Sequence, residues 1–420
     1  DQATRAAMGA QAVALSKAVG YHSAGTVEFI VDGDRNFYFL EMNTRLQVEH
    51  PVTELVTGID LVEEMIRVAA GEKLRLAQED VRLDGWAIES RLYAEDPYRS
   101  FLPSIGRLSR YRPPREGNRE DGTVIRNDTG VFEGGEISMY YDPMIAKLCA
   151  WAPDRLAAID AMSAALDDFE LDGIGHNLPF LSAVTRHERF RKGELTTAFI
   201  AEEWPEGFSG VTPGEGEARA LAAVAAFVHF RSQKRAVLIS GALDNHRRTV
   251  GREWVVKVNG TEFEVALRDE GGATLVGFEG GRPVPVTSDW LPGRPHARFA
   301  VGGEAMGVKV QPVNSGWRLR WRGIDLKIHV RSPRVAELAR LMPEKAPPDT
   351  SKMLLCPMPG VVTAIMVEVG AEVHEGQPLA TVEAMKMENV LRAERRAIVK
   401  AVAASVGQNL AVDQTILEFE

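Results

Sequence analysis

The sequence is poor in cysteine, in basic residues and in long apolar runs, and each shortage excludes a class of protein. The two cysteines, Cys149 and Cys356, cannot build a disulfide framework and show no metal-ligand spacing, which favours a reducing compartment. The net charge of -10 argues against a general nucleic-acid binder, which needs a basic face to neutralise phosphates. No apolar run reaches about 18 residues, the length expected of a membrane-spanning helix.

Two further features are missing at the start of the sequence. It begins at Asp1, without an initiator methionine or a basic, apolar leader, so we expect that processing or truncation has removed a preceding segment. It also has no glycine-rich loop of the kind that cradles phosphates. Its 420 residues predict two to three domains, since a domain usually has about 100 to 200 residues.

An internal repeat occupies the C-terminal part of the chain. Residues 361–383 align with residues 398–420 without a gap, and the matched pairs include Val362 with Val399, Ala364 with Ala401, Gly370 with Gly407 and Leu379 with Ile416. Two similar β-rich halves predict a small barrel with pseudo-two-fold symmetry. Lys386 lies in the connection between the halves, where we expect a hairpin tip on the surface.

The neighbours of Lys386 are unusual for a solvated surface lysine. Met385 and Met387 would expose apolar, adaptable surface of the kind that a binding partner uses. Together with Cys356-Pro357-Met358-Pro359-Gly360, the run Ala384-Met385-Lys386-Met387 resembles the biotin carboxyl carrier domain of biotin-dependent carboxylases. The resemblance implies that Lys386 carries biotin in amide linkage. Lipoyl carriers share the symmetric fold but usually flank their lysine with Asp and Ala.

Near the N-terminus, alternating residues predict a β-hairpin over 26–31 and 37–43 with a turn at Asp32-Gly33-Asp34. In such a hairpin Glu28 and Glu41 fall opposite or nearly opposite each other, and Asn43 extends the face of Glu41. Facing carboxylates favour a cation between them, and Mg²⁺ takes oxygen ligands of this kind together with substrate phosphates. The alternative is a solvated strand face whose glutamates pair with nearby arginines.

Three polar residues follow the hairpin. Arg45, Gln47 and Glu49 alternate with Leu46 and Val48, which predicts that the three share one side of an extended segment ending at residues 50–51. An arginine fork and a carboxylate on one face suit a small planar anion, because the guanidinium binds it bidentately while the carboxylate accepts its proton. A surface salt bridge is the alternative.

Residues 41–51, together with residues 89–97 and 140–144, resemble biotin carboxylase, an ATP-grasp enzyme. The resemblance implies a metal site, a bicarbonate site and a biotin contact. It implies that Mg²⁺ or Mn²⁺ on ATP is held by Glu28, Glu41 and Asn43. It implies that bicarbonate is bound by Arg45, Gln47 and the backbone of Val48, with Glu49 as its general base. Arg91 is implied to stabilise the biotin enolate. For Arg91 a structural pair with Glu89 is the alternative. In the family, the phosphate lid lies N-terminal to these motifs, so we expect the isolated chain to be catalytically incomplete.

Between these motifs, residues 60–70 predict a helix that begins with a capping box of Asp60 and Glu63. Leu61, Met65, Ile66 and Ala69 are its predicted core face.

The character of the sequence changes after Trp204-Pro205. An alanine-rich helix over 217–230 is followed by about eight β-runs, two pairs of which flank the turn signals Asn259-Gly260 and Arg322-Gly323. This order predicts an antiparallel barrel packed on or around the helix. The region is similar in position to the middle domain of propionyl-CoA carboxylases, which implies docking to a carboxyltransferase β subunit.

The predicted fold class is multidomain α+β. Its parts are the C-terminal portion of an ATP-grasp biotin carboxylase (residues 1–203), a β-barrel middle domain with a helix (204–342), a proline-containing linker (343–351) and a flattened β-barrel biotinyl carrier (352–420).

The resemblance implies the α subunit of an acyl-CoA carboxylase, with propionyl-CoA as the expected substrate and biotin protein ligase as a second partner. The bacterial cytoplasm or the mitochondrial matrix is the expected location. The alternatives are the α subunit of a methylcrotonyl-CoA or acetyl-CoA carboxylase, and a non-catalytic biotin carrier or scaffold.

Overall fold

The computed structural model describes residues 1–138, 140–238, 249–343, 352–384 and 387–420. Lys386 and nearly all of the predicted linker therefore lie outside the described residues. The chain divides into two compact units. The first comprises Asp1–Ser90, Gly117–Arg126 and Leu148–Met162, and the second comprises Arg91–Glu116, Asn127–Lys147 and Ser163–Glu420. Across the described residues, no helix is both long enough and apolar enough to span a bilayer.

The N-terminal half of the chain mixes helices with short strands. In order, its elements are α1 (Gln2–Ala18), β1 (Thr26–Val31), β2 (Phe37–Asn43), α2 (His50–Thr57), α3 (Leu61–Ala69), β3 (Trp86–Tyr93), β4 (Glu95–Asp96), β5 (Leu102–Pro103), β6 (Gly106–Arg107), β7 (Arg110–Arg112), β8 (Gly117–Asn118), β9 (Val124–Thr129), β10 (Glu136–Ile137), β11 (Met144–Ala152), α4 (Arg155–Asp168), β12 (Glu170–Asp172), α5 (Leu178–Arg186), α6 (Glu188–Lys192) and α7 (Phe199–Glu203).

Helix α3 begins as predicted but buries a different face. The Asp60 carboxylate accepts a hydrogen bond from the Glu63 backbone N–H at 2.8 Å, which caps the first turn. The predicted core face is wrong, because Ile66 is 65% exposed whereas Glu64 is only 8% exposed. Arg75 holds Glu64 at 2.5 Å, and a paired carboxylate can be buried where an unpaired one cannot. This ion pair turns the acidic residue inward.

The middle of the chain folds as a closed antiparallel barrel around one helix. Its elements are α8 (Glu215–Ala236), β13 (Glu253–Val258), β14 (Thr261–Glu270), β15 (Ala273–Phe278), β16 (Val284–Ser288), β17 (His296–Val301), β18 (Glu304–Val313), β19 (Gly316–Trp321), β20 (Ile324–Arg331) and α9 (Pro333–Arg340). Strands β13 to β20 follow one another around the barrel, and β20 closes on β13. The predicted barrel around a helix is confirmed.

The central part of helix α8 is buried on every side, and this property decides its composition. Every residue from Leu221 to Val228 is at most 1% exposed and belongs to the same core as the barrel strands. Small alanines let the surrounding strands approach the helix closely, and a helical segment that is apolar on every side is stable only when it is enclosed. The two predicted turns have positive φ at both central residues, including 45° at Asn259 and 88° at Gly260, as a two-residue hairpin requires.

The C-terminal part forms two four-stranded sheets, in which the sequence repeat becomes a structural repeat. Its strands are β21 (Met353–Leu355), β22 (Gly360–Ile365), β23 (Glu372–Val373), β24 (Pro378–Ala384), β25 (Met387–Arg392), β26 (Ala397–Val402), β27 (Asn409–Leu410) and β28 (Thr415–Phe419). The pairing of β22 with β24 and that of β26 with β28 have the same register and the same bulge. The predicted symmetry is confirmed.

Candidate functional site

The first hairpin brings the two predicted metal-binding carboxylates face to face. β1 and β2 are antiparallel, and their register places Glu28 opposite Glu41 and Thr26 opposite Asn43. Residues two apart on a strand share a face, so Glu41, Asn43 and Glu28 project from the same side of the hairpin. The predicted grouping of two carboxylates with a carboxamide is present.

Two side-chain amides converge on one oxygen of Glu28. The Asn43 Nδ2 group donates to Glu28 Oε1 at 2.7 Å and lies 3.3 Å from Glu41 Oε1. The Gln47 Nε2 group donates to the same Glu28 oxygen at 3.2 Å. The residues predicted for the metal and those predicted for bicarbonate are therefore in direct contact and form one continuous site.

The stretch that carries Arg45, Gln47 and Glu49 is not an extended strand, and that part of the prediction is wrong. The chain bends at Arg45 and turns at Val48 and Glu49, and Glu49 is the N-cap residue of α2. His50 Nδ1 lies 2.9 Å from the Gln47 carbonyl oxygen, which braces this turn. The turn arises because α2 begins with His50-Pro51, and proline favours the first helical turn.

Arg45 lies at the exposed side of this site. Its NH2 group is 3.5 Å from the Asn43 Oδ1 atom, and its NH1 group is 3.4 Å from the Leu46 carbonyl oxygen. Both contacts are at the long limit for a hydrogen bond and leave the planar guanidinium with donors to spare. An exposed guanidinium beside carboxylates and amides can bind a small oxyanion bidentately.

The residues fit a divalent cation with one rearrangement. Glu28 and Glu41 supply carboxylate oxygens, and a half-turn of the Asn43 amide would replace its N–H donors with the Oδ1 oxygen. Three oxygen ligands together with phosphate oxygens are the environment that Mg²⁺ prefers. Within the described residues, no cluster of three or more His, Cys, Asp or Glu side chains forms a metal site by itself.

The side chain of Arg91 is engaged by a residue of its own strand. It lies on β3, where its guanidinium hydrogen-bonds the Tyr93 hydroxyl. Burial, followed by the nearby Asp142 carboxylate, raises the pKa of Tyr93, so the hydroxyl stays protonated. Burial and Asp142 also raise the pKa of Glu95. The hydroxyl that Arg91 contacts is therefore partly buried.

Asn177 hydrogen-bonds the backbone of the strand that carries Arg91, and no sequence pattern identified it as a functional residue. Its Nδ2 group donates to the Arg91 carbonyl oxygen at 3.0 Å, and its Oδ1 atom accepts from the Tyr93 N–H at 2.9 Å. One buried side-chain amide thus takes the place of a neighbouring strand. The only local signal is its position directly before α5, where asparagine is a common N-cap.

The strands that flank Lys386 are antiparallel neighbours, with Ala384 opposite Met387. The upstream Cys356 is fully buried, and its thiol donates to the Met358 carbonyl oxygen at 3.0 Å. Burial raises the pKa of this thiol. Cys356 is therefore a packing residue of the carrier core, unsuited to nucleophilic chemistry.

Four family models match consecutive stretches of the chain. They are the carbamoyl-phosphate synthase L chain ATP binding domain (residues 1–77), the biotin carboxylase C-terminal domain (89–202), the propionyl-coenzyme A carboxylase BT domain (221–345) and the biotin-requiring enzyme family (352–419). This order defines the class: the chain has the regions of a biotin-dependent carboxylase that carries its own biotinyl domain.

Sequence identities to individual relatives show which kind of biotin-dependent carboxylase the chain resembles. The chain is 63% identical to the propionyl-CoA carboxylase alpha chain of Ruegeria pomeroyi, an alignment that covers 100% of this chain and 64% of that protein. It is 44% identical to the mitochondrial propionyl-CoA carboxylase alpha chain of Mus musculus, covering 100% of this chain and 58% of that protein. A mitochondrial methylcrotonoyl-CoA carboxylase subunit alpha of Oryza sativa is 36% identical, with 98% of this chain and 60% of that protein covered.

The chain is thus homologous over its full length to propionyl-CoA carboxylase alpha chains, and the resemblance to biotin-dependent acyl-CoA carboxylases is confirmed. It spans between 58% and 64% of the length of the propionyl-CoA carboxylase alpha chains compared here.

Proposed function

We propose that this chain is the metal-binding, bicarbonate-binding and biotin-carrying part of a propionyl-CoA carboxylase α subunit, a ligase that forms a carbon–carbon bond. The reaction consumes ATP and bicarbonate, and a carboxyltransferase β subunit then carboxylates propionyl-CoA to methylmalonyl-CoA. The observation that carries the proposal is the contact of Glu28 with both Asn43 and Gln47, which joins the metal and bicarbonate residues into one site.

In this proposal Glu28, Glu41 and Asn43 hold Mg²⁺ or Mn²⁺. When bound, the metal offsets the phosphate charge of ATP. Without a cation, two carboxylates facing each other across a hairpin repel, and the side-chain amides of Asn43 and Gln47 offset that repulsion in part. The hairpin is therefore arranged to gain from binding a divalent ion.

The turn after the hairpin serves bicarbonate. The Arg45 guanidinium, the Gln47 amide and the backbone N–H of Val48 are assigned to its oxygens, and Glu49 is assigned as the base that accepts its proton. Bicarbonate is a weak nucleophile until it is deprotonated, so a fixed cation and a carboxylate are both required. The turn supports this assignment better than an extended strand, because it gathers side chain and backbone donors in a few residues.

Lys386 and Arg91 are assigned to biotin. Biotin on Lys386, attached by a biotin protein ligase, supplies the carrier for the carboxyl group. Arg91 is assigned as the fixed cation for the ureido oxygen of biotin, and its partly desolvated surroundings strengthen such an interaction relative to water. The bacterial cytoplasm or the mitochondrial matrix is the proposed location.

The acyl substrate is assigned from sequence similarity. Identity to propionyl-CoA carboxylase alpha chains is 63% and 44%, against 36% to the methylcrotonoyl-CoA relative, and the residues 221–345 match the BT domain named for the former. Assays of the assembled enzyme with propionyl-CoA, methylcrotonyl-CoA and acetyl-CoA should give the highest kcat/KM for propionyl-CoA. A preference for another acyl-CoA would reject propionyl-CoA as the substrate. It would not contradict the proposed biotin carboxylase site.

The site is tested by bicarbonate-dependent ADP formation with free biotin, using the full-length protein that contains this chain. Arg45→Ala and Glu49→Gln should each abolish it. Matched controls are Arg35→Ala and Glu72→Gln, which remove an exposed arginine and an exposed glutamate whose ion partners are Asp1 and Arg67. Activity that persists in the Arg45 and Glu49 variants would reject the site, and a wild-type protein without this activity would favour a carrier or scaffold.

A further inference from the structure

A buried polar junction joins the barrel to residues 163–186, which lie within the biotin carboxylase C-terminal match. At its centre Lys309 of β18 donates to the Leu166 carbonyl oxygen at 2.9 Å, and the Arg322 backbone N–H donates to Asp167 Oδ1 at 2.8 Å. Lys309 and Asp167 are 7% and 8% exposed. Such burial is rare for charged residues unless they are paired and hydrogen-bonded.

A second group of contacts flanks this centre. Arg320 of β19 donates to Asp172 Oδ1 at 2.8 Å, and Gln311 of β18 donates to Asp172 Oδ2 at 3.0 Å. Arg298 of β17 donates to Asp168 Oδ2 at 3.0 Å. Three barrel strands therefore hold two consecutive elements, the end of α4 and β12. Since each carboxylate has a specific partner, sliding the barrel would leave buried charges unpaired, which costs far more than the pairs contribute in place.

Backbone contact makes the junction tight as well as polar. Gly323, with φ of 77°, lies so close to α5 that a Cβ would be 2.9 Å from the Ala183 N atom and 3.1 Å from the Pro179 carbonyl oxygen. A Cβ on Gly307 would meet Asp168 Oδ1 at 3.3 Å. The cavity left at the centre of the junction has a volume of only about 20 Å³, close to that of one water probe.

The junction determines where the tether to the carrier starts. Strand β20 continues into α9, and Arg340 at the end of α9 donates to Glu262 of β14 at 2.6 Å. The predicted linker, residues 343–351, begins directly after this helix. The start of the tether is thus fixed to the barrel, and the barrel is fixed to residues 163–186.

We propose that Lys309 and Arg320 are positioning residues for the transfer of the carboxyl group, because they hold the barrel, and with it the origin of the carrier tether, in one orientation relative to residues 163–186. This inference rests on the proposed function. A tether with a fixed origin keeps the effective concentration of the carrier high at its sites, whereas a loose barrel dilutes it. Neither residue is among those assigned to the metal, to bicarbonate or to biotin.

The test compares two activities and one structural measurement in the holoenzyme. Lys309→Met keeps the volume of the side chain and removes its positive charge. Arg320→Gln keeps part of the side-chain length and also removes the positive charge. Both should lower coupled carboxylation of propionyl-CoA by about tenfold, because small misplacements caused far from the chemistry lower rates steeply, while ADP formation with free biotin changes less than about twofold. Hydrogen exchange at the Arg322 amide should accelerate by about tenfold or more. Arg320→Lys should give an intermediate loss.

Arg318→Gln is the matched control. Arg318 is on the same strand as Arg320, but its two hydrogen bonds, both 2.6 Å, go to Asp325 within the barrel. This variant should change neither coupled turnover nor exchange at Arg322.

Three results would overturn the inference: unchanged exchange in the Lys309 and Arg320 variants, equal loss of both activities, or a loss of coupling in Arg318→Gln as large as theirs. Absence of free-biotin activity in the wild type would reject the proposed function, while the exchange measurement would still decide whether the junction is rigid.

Discussion

The side-chain amide of Asn177 donates to the carbonyl oxygen of Arg91 across 86 residues of sequence, and the same amide accepts from Tyr93. This contact means that the proposed biotin-facing arginine is positioned by a residue outside its own strand.

Asn177→Ala should therefore affect both stability and activity. It leaves the Arg91 carbonyl and the Tyr93 N–H without their partner, which should lower the free energy of unfolding by about 1 to 3 kcal/mol. It should also raise KM for free biotin more than KM for bicarbonate, because Asn177 supports the strand of Arg91, the residue assigned to biotin. Urea unfolding and steady-state kinetics measure these effects. Asn118→Ala, on an exposed strand, is the control, and equal changes in the two KM values would contradict the role of Asn177.

Glu28→Gln should raise the Mg²⁺ concentration required for half-maximal ADP formation by about tenfold, because it removes one of two carboxylate charges from the proposed metal site. Without metal, the variant should be no less stable than the wild type, since like charges facing across a hairpin are destabilising. Metal titration of the activity and thermal unfolding in EDTA provide the two measurements. An unchanged metal requirement in this variant would show that Glu28 does not bind the metal.

His176 should make the fold sensitive to acid. It is 9% exposed, and burial, followed by the charges of Arg320 and Lys309, lowers its pKa from 6.5 to about 3. Because the unfolded chain binds this proton at higher pH than the folded chain, stability falls as pH decreases from about 6.5 to about 3. His176→Gln should remove part of this slope, on the order of 1 kcal/mol or more over the range. Unfolding in urea at several pH values measures the difference, and parallel curves would contradict the prediction.

The symmetric glycines of the carrier should respond alike to substitution. Gly370 and Gly407 both have φ of 85°, and a Cβ at either would meet nothing within 4 Å. Gly370→Ala and Gly407→Ala should therefore each destabilise the carrier by about 1 kcal/mol through backbone strain alone. Gly216→Ala, within helix α8, should instead stabilise by about 0.5 to 1 kcal/mol. Thermal unfolding would contradict the account if the two carrier variants differed by more than about 1 kcal/mol.

Local patterns predicted much of this protein. The hairpin of Glu28 and Glu41, the barrel around α8 and the duplicated carrier follow from alternation, turn residues and repeats, all of which act over short distances in sequence. The prediction failed where a distant or neighbouring partner overrides the local pattern. Arg75 pairs with Glu64 of α3, which is buried where the pattern predicts an exposed residue, and the start of α2 at His50-Pro51 turns the segment that alternation predicts to be extended.

For the remaining features, no local signal identifies the contact partner. Asn177 reaches Arg91 over 86 residues, and Lys309 reaches Leu166 over 143 residues. Nothing in the run of β18 marks its lysine as buried, since an outward position on a barrel strand is normally solvated. Such contacts depend on how complete elements pack, and they become visible only in the folded chain.

The repeat in the carrier has a topological consequence. The pairing of β21 with β28 has the register and bulge of the pairing of β25 with β24, so the strand that arrives from the linker occupies the place that β25 holds in the other half. The two halves of the carrier therefore exchange places under a circular permutation of its strands. A chain opened between Ala384 and Met387 and closed between β28 and β21 would retain the pairing partners of every strand, with the proposed biotin attachment point exchanged for the point of entry of the tether.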